Sequence, residues 1–189
     1  MSCLWSGYIT DFIKVNNVKT FFISVSSAIL LSILCGCASI HHGEEATTRS
    51  VAERWFKAIE DGDVDTALNM LDDKIVWQNI PKAKGLSDII PWLGTYRGRE
   101  EVIKSFRIWG ENSDVNSFKV EKILVQGNEV IGLCHEIATI KETGIRAEIF
   151  FIQYFTVENE KLVQWRSFWD PCPYISAFRG QEVEYLEPR

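Results

Sequence analysis

WFKAIEDGDVDTALNMLDDKIVW, Trp55 to Trp77, changes its hydrophobic period twice, and those changes set the reading of the whole chain. Val51, Ala52, Trp55, Phe56 and Ile59 recur at helical spacing. Ser50-Val51-Ala52-Glu53 has the form of a capping box, so the spacing predicts a helix opening at Ser50. EDGD breaks it. Asp63 then caps a second helix carrying Val64, Ala67, Leu68 and Leu71. DDKIVWQNIP continues as a short strand that ends in Trp77, Gln78 and Asn79 before Pro81. Amides in place of valine or isoleucine have two explanations. Either Asn79 faces a cavity beside Trp77, or it only ends the strand ahead of Ile80-Pro81.

Towards the C-terminus, KAKGLSDIIPWLGTY holds two glycines and a proline and reads as a loop, either plain or with one helical turn. GREEVIKSFRIWGEN predicts a third helix, with Val102, Ile103, Phe106 and Trp109 on its apolar face. Four strands follow: Phe118 to Val125, Glu129 to Ile140, Ile145 to Val157 and Leu162 to Trp169. They are joined by turns at Gln126-Gly127-Asn128, KETG and ENEK. Helices first and an antiparallel meander last indicate an α+β domain. In FFIQYF, Phe150 to Phe155, nearly every position is apolar, whereas a strand with one wet face alternates. Both faces are therefore expected to be covered, one by helices and the other by a second copy in a homodimer.

TFFISVSSAILLSILCGCAS, Thr20 to Ser39, carries no charge and follows Lys14 and Lys19. A basic start, an apolar run and a small-residue exit describe a secretory signal. A permanent transmembrane anchor is the alternative, since about 20 apolar residues can span a bilayer. Leu34-Cys35-Gly36-Cys37 resembles a bacterial lipobox. That resemblance implies removal of residues 1–36, lipidation of Cys37 and an exported protein anchored in a membrane. The location would be the periplasmic face, with the outer membrane favoured, or the cell surface. Residues 37–49 then form a flexible tether, 50–182 the domain and 183–189 a C-terminal tail. His41-His42 with Glu44-Glu45 on that tether do not form a converging metal site. No metal and no cofactor is expected. Cys134 sits mid-strand and Cys172 in a loop, so a disulfide is not expected.

The chain has 189 residues, 46% apolar and 24% charged, which fits one globular domain. Its net charge of −6, with no basic stripe, excludes nucleic acid as a partner. Seven tryptophans and eleven phenylalanines either fill a core or line an apolar pocket.

WFKAIEDGDVDTALNMLDDKIVW, PWLGTYRGREEV and VQWRSFWDP together resemble the SnoaL-like branch of the nuclear-transport-factor-like superfamily. The resemblance covers roughly Val51 to Gly180. The group includes ketosteroid isomerases, polyketide cyclases and limonene-epoxide-hydrolase-like enzymes. It implies a cystatin-like α+β barrel: a cone of three N-terminal helices packed on a curved, mostly antiparallel sheet, with an apolar pocket at the wide end. Combined with strand alternation, it places Trp165, Ser167 and Trp169 inside, with Phe151, Gln153 and Phe155 beside them. Gly132, Cys134, Glu136 and Ala138 face inward from the next strand, and Trp55, Trp77 and Asn79 face the same space.

The catalytic sets of the family carry over only in part. VWQNIP resembles the stretch with which epoxide-hydrolase-like members hold an attacking water, and Trp77 and Asn79 match it. Those enzymes pair two aspartates through an arginine. Here Ser167 stands for one aspartate, and Cys134 and Glu136 stand for the arginine and the other. The ketosteroid isomerase pattern places its base near Asn79 or Ile80, its oxyanion tyrosine at Trp55 and its second acid at Gln153, so the base is missing. Glu136 is the most informative position, because burial of a carboxylate among indoles raises its pKa towards neutrality. A register slip of one residue would bring His135 inside instead. Asp170, before Pro171, stands either as an acid or base at the pocket mouth or as a turn residue. Trp92 and Tyr96 either gate the mouth or pack in the core. Two functions follow. One is a membrane-tethered module that binds a small apolar molecule. The other is an enzyme of the cyclase, isomerase, dehydratase or epoxide-hydrolase kind, using Glu136 with Asn79 or Asp170.

Overall fold

A computed structural model describes residues 43–184. The signal segment, Cys37, His41, His42 and residues 185–189 lie outside the described residues. Helix α1 spans 43–60 and α2 spans Val64–Asn69. Strands β1 (Leu71–Gln78) and β2 (Thr95–Arg97) precede helix α3 (Arg99–Asn112). Four strands then run in succession: β3 (Ser113–Gln126), β4 (Glu129–Ile140), β5 (Arg146–Glu158) and β6 (Lys161–Trp169). A short helix, α4 (Cys172–Phe178), follows them. The strands form one sheet in the order β2-β1-β6-β5-β4-β3, in which only β1 and β6 run parallel.

Local chemistry explains most boundaries. Asp63 accepts a hydrogen bond from the Thr66 N–H at 3.0 Å and opens α2 as expected. The β5–β6 turn holds Asn159 and Glu160 at φ of 50° and 59°, the left-handed pair that matches the twist of a two-residue hairpin. Gly132 in mid β4 is explained by packing, since a Cβ there would sit 2.2 Å from the Phe56 ring of α1. The glycine lets the first helix lie close on the sheet.

Four readings are corrected. α1 does not open at Ser50, and residues 43–49, expected in the tether, are helical with Thr48 buried. Between residues 44 and 61 there is no proline or glycine to stop the helix, so the local capping pattern is overridden. The first strand of the meander, read from Phe118, opens at Ser113 directly after α3. Thr95 and Tyr96, read as loop, belong to strand β2, which pairs with β1 through Trp77↔Tyr96. The segment after Asp170, also read as loop, forms α4, with Pro173 in its first turn where a missing N–H costs nothing.

Inward-facing residues of β4 alternate as Val130, Gly132, Cys134, Glu136, Ala138 and Ile140. One apolar cluster joins α1 (Val51, Ala52, Trp55, Phe56) to Trp77, Val130, Cys134, Phe155 and Trp165. A second joins Ile90, Trp92 and Leu93 to Ala138, Ile149 and Tyr174 of α4. The other sheet face leaves Ile131, Phe150, Ile152 and Phe168 exposed. Cys134 is buried, Cys172 is exposed, and neither is bridged. Among the described residues no helix is long and apolar enough to cross a membrane.

Candidate functional site

A cavity of about 100 Å³ lies where the two clusters meet. Its sheet wall follows from strand register. Gln153 of β5 pairs with Ser167 of β6, Phe151 pairs with Trp169, and Glu136 of β4 pairs with Ile149. With a side-chain period of two, these residues share the inner face. Trp55 comes from α1, Trp77 and Asn79 from the end of β1, Phe106 and Trp109 from α3, and Tyr174 from α4. Trp92 closes the ring from the long loop before β2. Six of the lining residues are tryptophans, which gives walls that are wide, rigid and mostly apolar.

The rings are ordered against one another. Trp77 and Trp165, partners across the parallel β1–β6 pair, stack at 3.6 Å with an interplanar angle of 5°. Trp55 and Phe106 meet Trp77 edge-on. Gln153 sits among them, and its Oε1 accepts both the Trp55 and the Trp165 indole N–H, each at 3.0 Å. Trp77 differs: its Nε1 is buried and has no hydrogen-bond partner among the described residues. Such a donor costs the fold roughly 1–3 kcal/mol.

Asn79 lines the cavity beside Trp77, which resolves the choice left open by VWQNIP. Its Oδ1 accepts from Ser167 Oγ at 2.9 Å, and its Nδ2 donates to the Trp92 carbonyl at 3.4 Å. Both ends of the amide are engaged in tying β1 to β6 and to the loop.

Glu136 is 6% exposed and accepts a hydrogen bond from Tyr174 Oη at 2.5 Å. Burial pushes its carboxyl up to about 7, and the Tyr174 hydrogen bond offsets part of that rise. Tyr174 is held well above its ordinary value, first by burial and then by the Glu136 charge. Together they make a carboxyl–phenol pair that can keep a proton near neutral pH inside an apolar wall.

Of the residues singled out in the sequence, Trp55, Trp77, Asn79, Glu136, Gln153, Trp165, Ser167 and Trp169 all line the cavity. Asp170 does not. It is exposed, and its Oδ1 accepts from the Cys172 N–H at 2.9 Å, the turn role that its place before Pro171 allowed. His135 faces the opposite side, where it stacks on Phe150 and bonds Glu148 at 2.8 Å. Trp92 is buried edge-on to Tyr174, and Tyr96 packs against the first cluster. Sequence reasoning missed Tyr174 and, from α3, Ser105, Phe106 and Trp109, which it read only as a helix or its apolar face; Tyr174 is the one that reaches Glu136. Its signal was Pro173, a first-turn helix proline that turns the segment after Asp170 from loop to helix.

A family model for the SnoaL-like domain matches residues 52–165. The chain belongs to the SnoaL-like domain family. An NTF2-like protein from Burkholderia thailandensis superposes with a TM-score of 0.60 at 24% identity, covering 69% of this chain and 95% of its own. Another, from Burkholderia pseudomallei, reaches 0.61 at 19% identity, covering 70% and 97%. An LEH-like epoxide hydrolase from M. tuberculosis reaches 0.54 at 19% identity, covering 72% and 90%. At these identities the likeness is one of fold, and function is argued from the site. No curated protein matches the sequence. This SnoaL-like chain therefore shares its neighbours' α+β architecture, with its own set of groups inside: one carboxyl–phenol pair, one amide clamped by two indoles and, among the described residues, no lysine, arginine or histidine on the cavity wall.

Proposed function

We propose that this SnoaL-like protein binds a small, largely apolar molecule in the indole-lined cavity. The observation that carries the reading is the wall of six tryptophans around about 100 Å³. An apolar cavity of about 150 Å³ holds benzene, so one of about 100 Å³ takes an occupant of that size or smaller. Organic extraction and mass spectrometry of the purified protein test this, together with indole fluorescence titrated with small apolar compounds. A molecule that co-purifies, and is lost in Trp165→Ala, supports the reading. No extractable molecule and no fluorescence response overturn it.

Glu136 and Tyr174 favour a second reading, in which the bound molecule is turned over by proton transfer. Reaction types in keeping with the fold are cyclisation, isomerisation, dehydration and epoxide hydrolysis. Glu136 is then the acid or base, and Tyr174 replaces Asp170 as its partner. Turnover of any such substrate that is lost in Glu136→Gln while binding persists would establish it.

Two further features complete the proposal. Cys37 carries lipid and tethers the domain to a membrane, on the support of Leu34-Cys35-Gly36-Cys37 after an apolar run. Cys37→Ser is expected to block processing of the precursor, and unchanged processing would end that reading. The protein is a homodimer through the outer face of β4–β6, on the support of Phe150, Ile152 and Phe168, which are 39–53% exposed. Sedimentation as a monomer at micromolar concentration would overturn it.

A further inference from the structure

We infer that the C-terminal segment, residues 183–189, docks on its own chain as a strap along the start of β5, and so backs α4, the helix that carries Tyr174 to Glu136. The place, the reach and the residue pattern each point there.

β6 ends at Trp169, opposite Phe151, so its ladder stops short of residues 146–150 of β5. Beside those residues lies a groove of about 380 Å³. Among the described residues it is lined by Ile149 and Phe150 of β5, by Asp170, and by Pro173 in the first turn of α4. Phe150 is 48% exposed there. Of these four residues, only Ile149 also lines the indole-walled cavity, so the groove is a second site.

The C-terminal segment sets out from the end of this groove. α4 starts at Cys172, just past the end of β6, and near its other end the Ala177 carbonyl accepts the Thr143 hydroxyl at 2.7 Å. The same hydroxyl accepts the Ile145 N–H at 3.3 Å, so the end of α4 is tied to the turn from which β5 begins. Gly180, at φ of 72°, then reverses the chain, and the Gln181 N–H donates to the Ser176 carbonyl at 2.9 Å. A chain reversed at this point heads back between β5 and α4 towards Pro173. Extended chain advances about 3.3 Å per residue, so Tyr185, four residues past Gln181, and Ile149, four past Ile145, both lie about 13 Å along. Residues 181–189 reach about 30 Å when extended, more than the groove requires.

The segment reads QEVEYLEPR from Gln181 to Arg189. Val183 is half-buried between exposed Glu182 and Glu184, so the described part already alternates like a strand with one covered side. Continuing that period puts Tyr185 on the covered side with Val183, level with Ile149, and puts Leu186 on the other side, level with Phe150. Glu182 comes level with Arg146, an exposed cation of β5. Pro188 has no N–H to give a further strand, which suits the end of an edge strand. An apolar groove is thus met by a tyrosine and a leucine at the right reach. Ile152 and Phe168, farther along the sheet, are left for association with a second copy.

Benzoylphenylalanine in place of Tyr185 in the 189-residue chain, followed by ultraviolet irradiation and peptide mapping, tests the docking. Attachment is expected within the same chain, at residues 146–150 or at Pro173. A mixture of isotope-labelled and unlabelled protein separates the same chain from a second copy. Attachment to a second copy, or to any other segment, overturns the inference. Amide hydrogen exchange on a chain ended after Glu182 tests the consequence. Exchange at residues 146–150 and in α4 is expected to rise about tenfold over the parent, because both lose a covering segment. Unchanged exchange at 146–150 overturns the docking, and unchanged exchange in α4 overturns the backing of that helix. If the shortened chain does not fold, Tyr185→Ser with Leu186→Ser takes its place, and the cross-link on the otherwise unaltered chain still decides.

Discussion

Glu136 and His135 follow one another along β4 and face opposite sides of the sheet. Glu136 is buried among rings, and its one hydrogen-bond partner among the described residues is Tyr174. His135 stacks on Phe150 at 4.3 Å and meets Glu148 at the water's edge. The contrast repeats on β5, where Gln153 is clamped by two indoles while Ile152 stands 39% exposed. The inner face holds polar groups in an apolar setting, and the outer face holds apolar groups in water. Substitutions inside should therefore act on folding and on the cavity. Substitutions outside should act on association, with little effect on the protomer.

The largest expected effect is on the inner face. Gly132→Leu puts a side chain where even a Cβ would meet the Phe56 ring, so α1 cannot keep its seat. Overpacking of this kind costs roughly 3 kcal/mol or more, and thermal denaturation should show a large fall in Tm or no folded protein. A Tm within a degree or two of the parent would mean that α1 does not pack on β4 as described.

Glu136 comes next, and its effect depends on pH. Burial raises the carboxyl from the ordinary 4.5 of a free glutamate to about 7 in the folded protein. Between those values the folded state holds the proton and the unfolded state does not. Stability from this group is therefore full below about 4.5 and is lost as pH rises through about 7. A gap of that size corresponds to roughly 3 kcal/mol. Glu136→Gln, which keeps an acceptor for Tyr174, is expected to be more stable than the parent at pH 8 and to lose that advantage by pH 4.5. Chemical denaturation at a series of pH values checks this. A stability difference that does not change with pH would place the carboxylate outside the apolar wall.

The outer face should respond differently. Phe168→Asp with Ile152→Lys is expected to convert the proposed dimer to monomer in sedimentation, while the unfolding of the protomer shifts by about 1 kcal/mol or less, as at exposed positions. A large loss of protomer stability would show that this face is covered by the chain's own residues. The smallest effect is expected at His135→Ala. It removes a partly exposed pair with Glu148, and such pairs contribute about 0–1 kcal/mol. The cavity's ligand affinity should not change, and a measurable change would blur the distinction between the two faces.

Strand alternation was legible from the residues alone. Counting back from WRSFWD through two turns placed Ser167, Gln153 and Glu136 on one face, and the register Gln153↔Ser167 and Glu136↔Ile149 agrees. The α2 cap at Asp63 and the limits of β4 were equally local, because a side-chain period or a cap involves residues within a few positions. The start of α1 was misread for the same reason. Ser50 looks like a cap to its neighbours, but helix propagation through residues 43–49 is set by what packs on the helix.

The sequence by itself determined which residues share a face, because alternation needs nothing beyond the strand, and the family resemblance said which of the two faces is the inner one. What those residues do to one another was decided only by the tertiary structure. Trp55 reaches Gln153 across 98 positions, Ser167 reaches Asn79 across 88, and Tyr174 reaches Glu136 across 38. No local pattern records such distances. They arise because Gly132 lets α1 settle on the sheet, β1 runs parallel beside β6, and α4 folds Tyr174 back over β4. Hydrogen bonding is directional and short-ranged, so it spent the amide of Asn79, left the indole donor of Trp77 open, and gave Glu136 its phenol only once the chain had closed on itself.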